Sequence, residues 1–424
     1  MKRLYILLIN ICFITNLSAQ EVDLVSVGAS YAEQTYYTIE SGATMSHSNE
    51  IWDLAFITSP GGYGISINEA VGLSFGPPLP QLELYLVNST DFDNVDTSGM
   101  NRIYNNESSW GEGAFNNVND PNNAFDLGWG TYNPGNNQVT ASRVFVIKLR
   151  SGEHKKIEIL SLIGGVYTFR YADLNGANET TQTVAKADFE GRSLAYFSFE
   201  EEAALDLEPE KWDLLFTRYS TPLDDGTPFP LNYIVTGVLS GAGVEVAQAD
   251  GIDPQSVNYL DYEDNYITEL DEIGFDWKDF DLGTFQWSLI NDRVYFVKTA
   301  ESALWKLQFI DFEGSSTGTS ALLKTFETQL TSTEEAYENL TSFEIFPNPA
   351  KDFVNVALEL NSNVREGNIV ITNALGQLVL SRKVSLQSGF NVETIALPSL
   401  TAGVYQLSLQ LETEQITQPL IIKQ

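Results

Sequence analysis

The sequence predicts an all-β protein in three folded parts: two tandem β domains followed by a small C-terminal β-sandwich. Three observations predict it. Short apolar stretches bounded by Gly, Pro, Asn and Asp recur along the chain, and long helical periodicity is hard to find before residue 330. Two blocks of sequence occur twice in the same order, the mark of a duplicated unit. Residues 343–424 hold no Trp, Cys, His or Met and carry about seven short strands, which suits a small sandwich. At roughly 100–200 residues per domain, a chain of 424 residues fits two to four domains.

Residues 1–19 (MKRLYILLINICFITNLSA) read as a secretory signal peptide. Lys2 and Arg3 start it, an apolar run from Leu4 to Leu17 follows, and Ser18-Ala19 gives a small-residue cleavage site. No later stretch approaches 18 consecutive apolar residues, so no transmembrane segment is expected.

The first repeat is placed at 20–185 and the second at 186–328. Residues 36–56 (YYTIESGATMSHSNEIWDLAF) align without a gap on 196–216 (YFSFEEEAALDLEPEKWDLLF), an offset of 160. Tyr36 then matches Tyr196, and Trp52-Asp53-Leu54 matches Trp212-Asp213-Leu214. A second block, RVFVIK at 143–148, matches RVYFVK at 293–298, an offset of 150. Upstream, Asp126-Leu127-Gly128 is matched with Asp281-Leu282-Gly283. Val144 to Ile147 is a continuous apolar run, as in a strand buried on both faces. Ile157 and Ile159 alternate with Lys156 and Glu158, as in a half-buried strand, after a turn at Arg150-Ser151-Gly152-Glu153. Residues 329–342 are read as a polar linker. In the tail, 343–424, Val354, Val356, Leu358 and Leu360 alternate with polar or small residues, and Asn373-Ala374-Leu375-Gly376 reads as a hairpin turn.

Charge and composition narrow the function. The chain has 23 Lys+Arg against 57 Asp+Glu, a formal net charge of −34, which repels nucleic acid and anionic membrane surfaces. The single cysteine, Cys12, lies in the leader, so the mature chain is expected to have no disulfide and no thiol nucleophile. The two histidines, His47 and His154, sit in no catalytic motif, and no phosphate-cradling Gly loop is present, so no enzyme is expected. Both histidines are read as exposed loop residues, and Trp52 and Trp212 as core anchors.

The tail resembles the C-terminal sorting domain of the type IX secretion system of Bacteroidota, an Ig-like sandwich. Phe346-Pro347-Asn348-Pro349-Ala350, Asn373-Ala374-Leu375-Gly376-Gln377, Leu400-Thr401-Ala402-Gly403-Val404-Tyr405 and Ile421-Ile422-Lys423-Gln424 carry the resemblance. It implies passage through the periplasm, engagement of the type IX secretion machinery, and a secreted or outer-surface product from which the tail is often cleaved. Each repeat resembles a HmuY-type domain, a family of secreted haem-binding proteins. Tyr36 to Ile39, Tyr196 to Phe199, the two Trp-Asp-Leu motifs, the two Arg-Val strands and Val235 to Leu239 carry it.

That second resemblance implies haem held by two side chains, His-His or Met-containing. Here the interval 54–142 holds no His and one Met, Met100, and the position after Gly128-Trp129 offers Tyr132. The expected cofactor residues are therefore Met100 and Tyr132, with haem as the cofactor and no metal site outside it. The alternative is an adhesion or interaction module of the same fold without haem. For that module Asp91, Asp93, Asn94 and Asp96 offer oxygen ligands at close spacing, without the regular calcium-loop pattern.

Overall fold

The computed structural model describes residues 20–423 apart from 75–78, 224–230, 330–339, 361–365, 374–376, 399 and 412–414. The expected leader, most of the linker, and the turn residues Ala374-Leu375-Gly376 lie outside the described residues. All regular structure among the described residues is strand, with short 3-10 turns between. The all-β expectation holds.

The first unit contributes β1 Gln20–Ser26, β2 Glu33–Thr38, β3 Ala43–Ser48, β4 Leu54–Ile57, β5 Ile65–Ile67 and β6 Glu83–Leu86. Then come β7 Asn101–Ile103, β8 Gly130–Asn133, β9 Gln138–Ala141, β10 Phe145–Lys148, β11 His154–Ile163 and β12 Val166–Asp173. β13 Thr180–Ala185 closes the first unit, and the second contributes β14 Leu194–Ser198, β15 Ala203–Leu205, β16 Leu214–Leu223, β17 Leu231–Ser240 and β18 Glu245–Asp250. It ends with β19 Lys278–Asp281, β20 Gln286–Leu289, β21 Arg293–Lys298, β22 Ala303–Phe312 and β23 Thr319–Gln329. The tail holds β24 Leu340–Phe346, β25 Phe353–Leu360, β26 Gly367–Asn373, β27 Leu378–Val384, β28 Gly389–Ala396, β29 Gly403–Gln410 and β30 Gln415–Ile422.

The two units do not pair only within themselves. The YYT strand of the first unit, β2, joins β16 of the second in a sheet ordered β17-β16-β2-β3, and β14 of the second joins β4 of the first in β15-β14-β4-β5. The outer sheets are β13-β12-β11-β10-β6-β7, with β8 and β9 attached through β11, and β1-β23-β22-β21-β18. Strands thus cross the 185/186 division in both directions. The continuous stretch β4–β15 makes one domain. β16–β23 make the other, closed by β1–β3 from the start of the chain.

Strand alternation explains the layering. Ala195 and Phe197 point into the first core with Phe56, Phe145, Ile157, Tyr167 and Phe169. Their neighbours Leu194 and Tyr196 point the other way, with Ala55 and Trp52. In β2, Tyr37 enters the second core with Val25, Phe216, Trp277 and Leu322, while Tyr36 points outward. The outward faces of the two inner sheets meet, so the body is four layers deep. Val144 and Val146 are buried on the far side of their sheet because residues 87–100 fold over it. The same cover corrects one expectation. Lys156 is 1 % exposed, its Nζ donating to Phe92 O at 2.6 Å and lying 4.5 Å from the Phe92 ring centre. A flat alternating strand does not announce the loop that will cover its polar face.

The tail is a sandwich of two sheets, β24-β25-β28 and β27-β26-β29-β30, around its own apolar core of Phe343, Val354, Val356, Leu358, Ile369, Leu407 and Leu409. Asn348 clasps the last strand: its Nδ2 donates to Pro419 O at 2.9 Å and its Oδ1 accepts Ile421 N–H at 2.8 Å.

Candidate functional site

The duplicated Trp-Asp motifs form the seam between the inner sheets. Asp53 donates its N–H to Phe197 O at 2.8 Å and accepts Phe199 N–H at 2.7 Å. Asp213 does the same with Tyr37 O at 2.9 Å and Ile39 N–H at 2.8 Å. Each aspartate therefore braces the strand supplied by the other unit. Trp52 meets Tyr196 edge-on at 4.9 Å, and Trp212 meets Tyr36 at 5.0 Å. Tyr36 Oη and Tyr196 Oη are 2.5 Å apart, 160 residues apart in sequence, on the local two-fold. The two Trp residues are half-buried seam residues and not anchors inside either core. His47 likewise departs from expectation: it lies in β3, half-buried, with Nε2 2.9 Å from Leu207 O. A Ser-rich exposed-looking segment becomes a strand because β2 offers it an edge to pair with.

A second correction concerns the repeat alignment. Arg143 makes a bidentate pair with Asp126, at 2.7 and 2.6 Å, and Arg293 pairs with Asp276 at 2.9 Å, each across 17 residues. Asp126 thus corresponds to Asp276, not to Asp281, whose carboxylate caps the turn at Gly283 and Thr284. The Asp-Leu-Gly match came from turn chemistry shared by unrelated turns.

A cleft of about 1090 Å³ lies at one end of the first domain beside the tail. Its wall is the 58–63 loop, the β8–β9 hairpin with Tyr132, the turn at Leu162–Gly165, and Phe189. Phe346, Phe390 and Val392 of the tail face it. The loop is held by Lys186 Nζ, which donates to Ser59 O at 2.7 Å and Gly62 O at 2.6 Å, and by Trp129 Nε1, which donates to Tyr63 O at 3.0 Å. The Tyr63 and Phe346 rings are 5.9 Å apart, and Asn137 Nδ2 donates to Phe390 O at 2.7 Å. Fixed donors and packed aromatics make this wall rigid before any ligand arrives.

Of the two expected cofactor residues, Tyr132 lines this cleft. It is half-buried, its hydroxyl donates to Asn137 Oδ1 at 3.1 Å, and burial, with Glu393 nearby, pushes its phenol above the usual range. Met100 lies elsewhere. It packs with Val87, Phe92, Val144, Val146 and Ala172 on the outer face of the sheet. Tyr132 packs against the core on the inner face, with Phe145 and Ile147. The structure does not bring the two together, because successive residues of β10 point to opposite faces. Among the acidic-loop residues, Asp91 accepts Asp93 N–H and Asn94 Nδ2, and Asp96 accepts Ser98 N–H. The described residues gather no group of three or more His, Cys, Asp or Glu placed to hold a metal ion. Sequence reasoning missed the cleft itself; the Pro60-Gly61-Gly62 turn was its one local signal.

The secretion system C-terminal sorting domain family matches residues 344–423. No curated protein matches the chain. Among solved structures, the crystal structure of dimeric latent PorU from Porphyromonas gingivalis is similar at 11 % identity and a TM-score of 0.18. The match covers 67 % of this chain and 31 % of that one, so the chain spans under a third of its length. The sorting-domain match indicates export by type IX secretion to the cell surface or beyond it. No helix among the described residues is long and apolar enough to cross a membrane.

Proposed function

We propose that this is an exported, non-catalytic binding protein whose ligand lies in the Tyr132 cleft of the first domain. The observation that carries the reading is a preformed, aromatic-walled cleft of about 1090 Å³, large enough for a flat or extended apolar molecule. The tail covers one side of it. Removal of the tail after export, which the sorting family implies for many of its members, would uncover Tyr63 and Tyr132. Haem, the ligand implied by the HmuY-type resemblance, is one molecule of suitable shape. The residues present fit it in part: Tyr132 would offer a single axial oxygen, and its raised phenol disfavours the anion that binds iron. Met100, on the far face of the sheet, would contribute nothing. Haem titration of the full chain tests this. A Soret shift lost in Tyr132→Ala and retained in Met100→Ala is expected. Loss in Met100→Ala instead would place the ligand outside the cleft.

The second reading, a surface interaction module without haem, is favoured by the β19–β20 ribbon. Leu282 and Phe285 at its tip are 77 % and 75 % exposed, beside part-exposed Phe280 and Trp287. Binding to purified cell-surface polysaccharide, weakened by a Leu282→Ser/Phe285→Ser double variant and indifferent to haem, would support it.

A further inference from the structure

The two units differ at one point of their shared seam, and the difference leaves a hole. In the first unit the β10–β11 turn carries Arg150, whose Nη1 donates to Asp53 Oδ1 at 2.6 Å. In the second unit the β21–β22 turn has the same backbone. Leu149 N–H to Glu153 O, at 2.8 Å, corresponds to Thr299 N–H to Ala303 O at 2.9 Å. Gly152 N–H to Leu149 O corresponds to Ser302 N–H to Thr299 O, both at 2.8 Å. Register is thereby fixed without a gap, and the position of Arg150 is held by Ala300. Asp213, the counterpart of Asp53, is 5 % exposed and keeps its bond from Ile39 N–H. No arginine reaches it.

A cavity of about 310 Å³ stands there, lined by Asp213, Glu40, Glu301, Trp305 and Phe326, with Lys211 at its mouth. Lys211 pairs with Glu301 at 3.5 Å, with both side chains largely exposed, so it does not take the place of the missing guanidinium. The three carboxylates against one lysine give the cavity a cation-attracting field. Trp305, 8 % exposed, packs against the same space. Phe326, 5.1 Å from Trp305 and at 68° to it, supplies an aromatic face for a planar cation, while Lys324 Nζ lies 5.6 Å from the Trp305 ring.

We propose that this cavity is a binding site for an alkylguanidinium group, and that the side chain of an arginine residue suits it best. The guanidinium takes the position that Arg150 occupies in the first unit, against Asp213. The site belongs to the second domain and stands apart from the Tyr132 cleft.

The test is calorimetric titration of the full chain with N-acetyl-arginine amide and with agmatine, which carries the guanidinium but no carbonyl. Saturable binding of both is expected. Asp213→Asn is expected to weaken it at least about 30-fold, the scale for removing one partner of a buried charge pair. Ala300→Arg, which supplies the guanidinium from the chain, is expected to abolish it while raising the melting temperature. Glu301→Gln, at the exposed rim, keeps the test open if Asp213→Asn fails to fold, and should weaken binding. Absence of saturable binding to the natural chain, or binding unchanged in Ala300→Arg, overturns the proposal.

Discussion

Buried carboxylates govern the pH behaviour of the seam residue by residue. Glu69 lies in a small pocket between the inner sheets, accepting Asn105 N–H at 3.2 Å and Asn105 Nδ2 at 3.1 Å, and burial pushes its carboxyl up to about 8. Burial also raises Glu208, to about 7, and Asp213, to about 6. A raised acid holds its proton more tightly folded than unfolded. Its stabilising effect is full below the unfolded value and is lost as pH rises through the folded value. Melting temperature is therefore expected to fall between about pH 5 and pH 8, and Glu69→Gln should flatten that slope in a thermal melt. Arg150→Ala should cost about 3–5 kcal/mol by denaturant titration, since it strands Asp53 in the seam. The Trp-Asp motifs were legible because they recur. Their hydrogen-bond partners were not, because equivalence between two residues does not say which copy of a strand each one holds.

Elements show the same limit from another side. The Pro347-Asn348-Pro349 segment and the closing strand were recognisable as a pair in the sequence. The reason they travel together is the clasp of Asn348 on Pro419 and Ile421, which links residues more than 70 positions apart. Asn348→Ala removes both bonds and should loosen β30 by about 1–2 kcal/mol. Fewer molecules should then reach the surface, read by protease shaving of whole cells. The β8–β9 and β19–β20 ribbons were not visible as counterparts, because one is covered by the tail and the other is bare. Their surfaces diverged while the Arg-Asp pairs beneath them were kept.

Across the whole molecule, β1–β3 do for the second domain what β13–β15 do for the first. In the first domain β12 and β13 are joined by the short turn from Asp173 to Thr180. In the second, Gln20 pairs with Thr325 beside the end of β23. A tail-less chain permuted to run 209–329, a six-residue link, then 20–208 should fold with both domains contiguous and show the native circular-dichroism spectrum. Deleting 20–48 should unfold the second domain, whose core includes Val25, Val27, Tyr31, Tyr37 and Ile39, while the first domain keeps its protection in hydrogen exchange. The pairing of Gln20 with Thr325 also sets a schedule. β1 must wait, without its β23 partner, until residues 319–325 have emerged, shortly before the sorting region at 344–423. Closure of the second domain and synthesis of the sorting tail are thus adjacent steps along the chain.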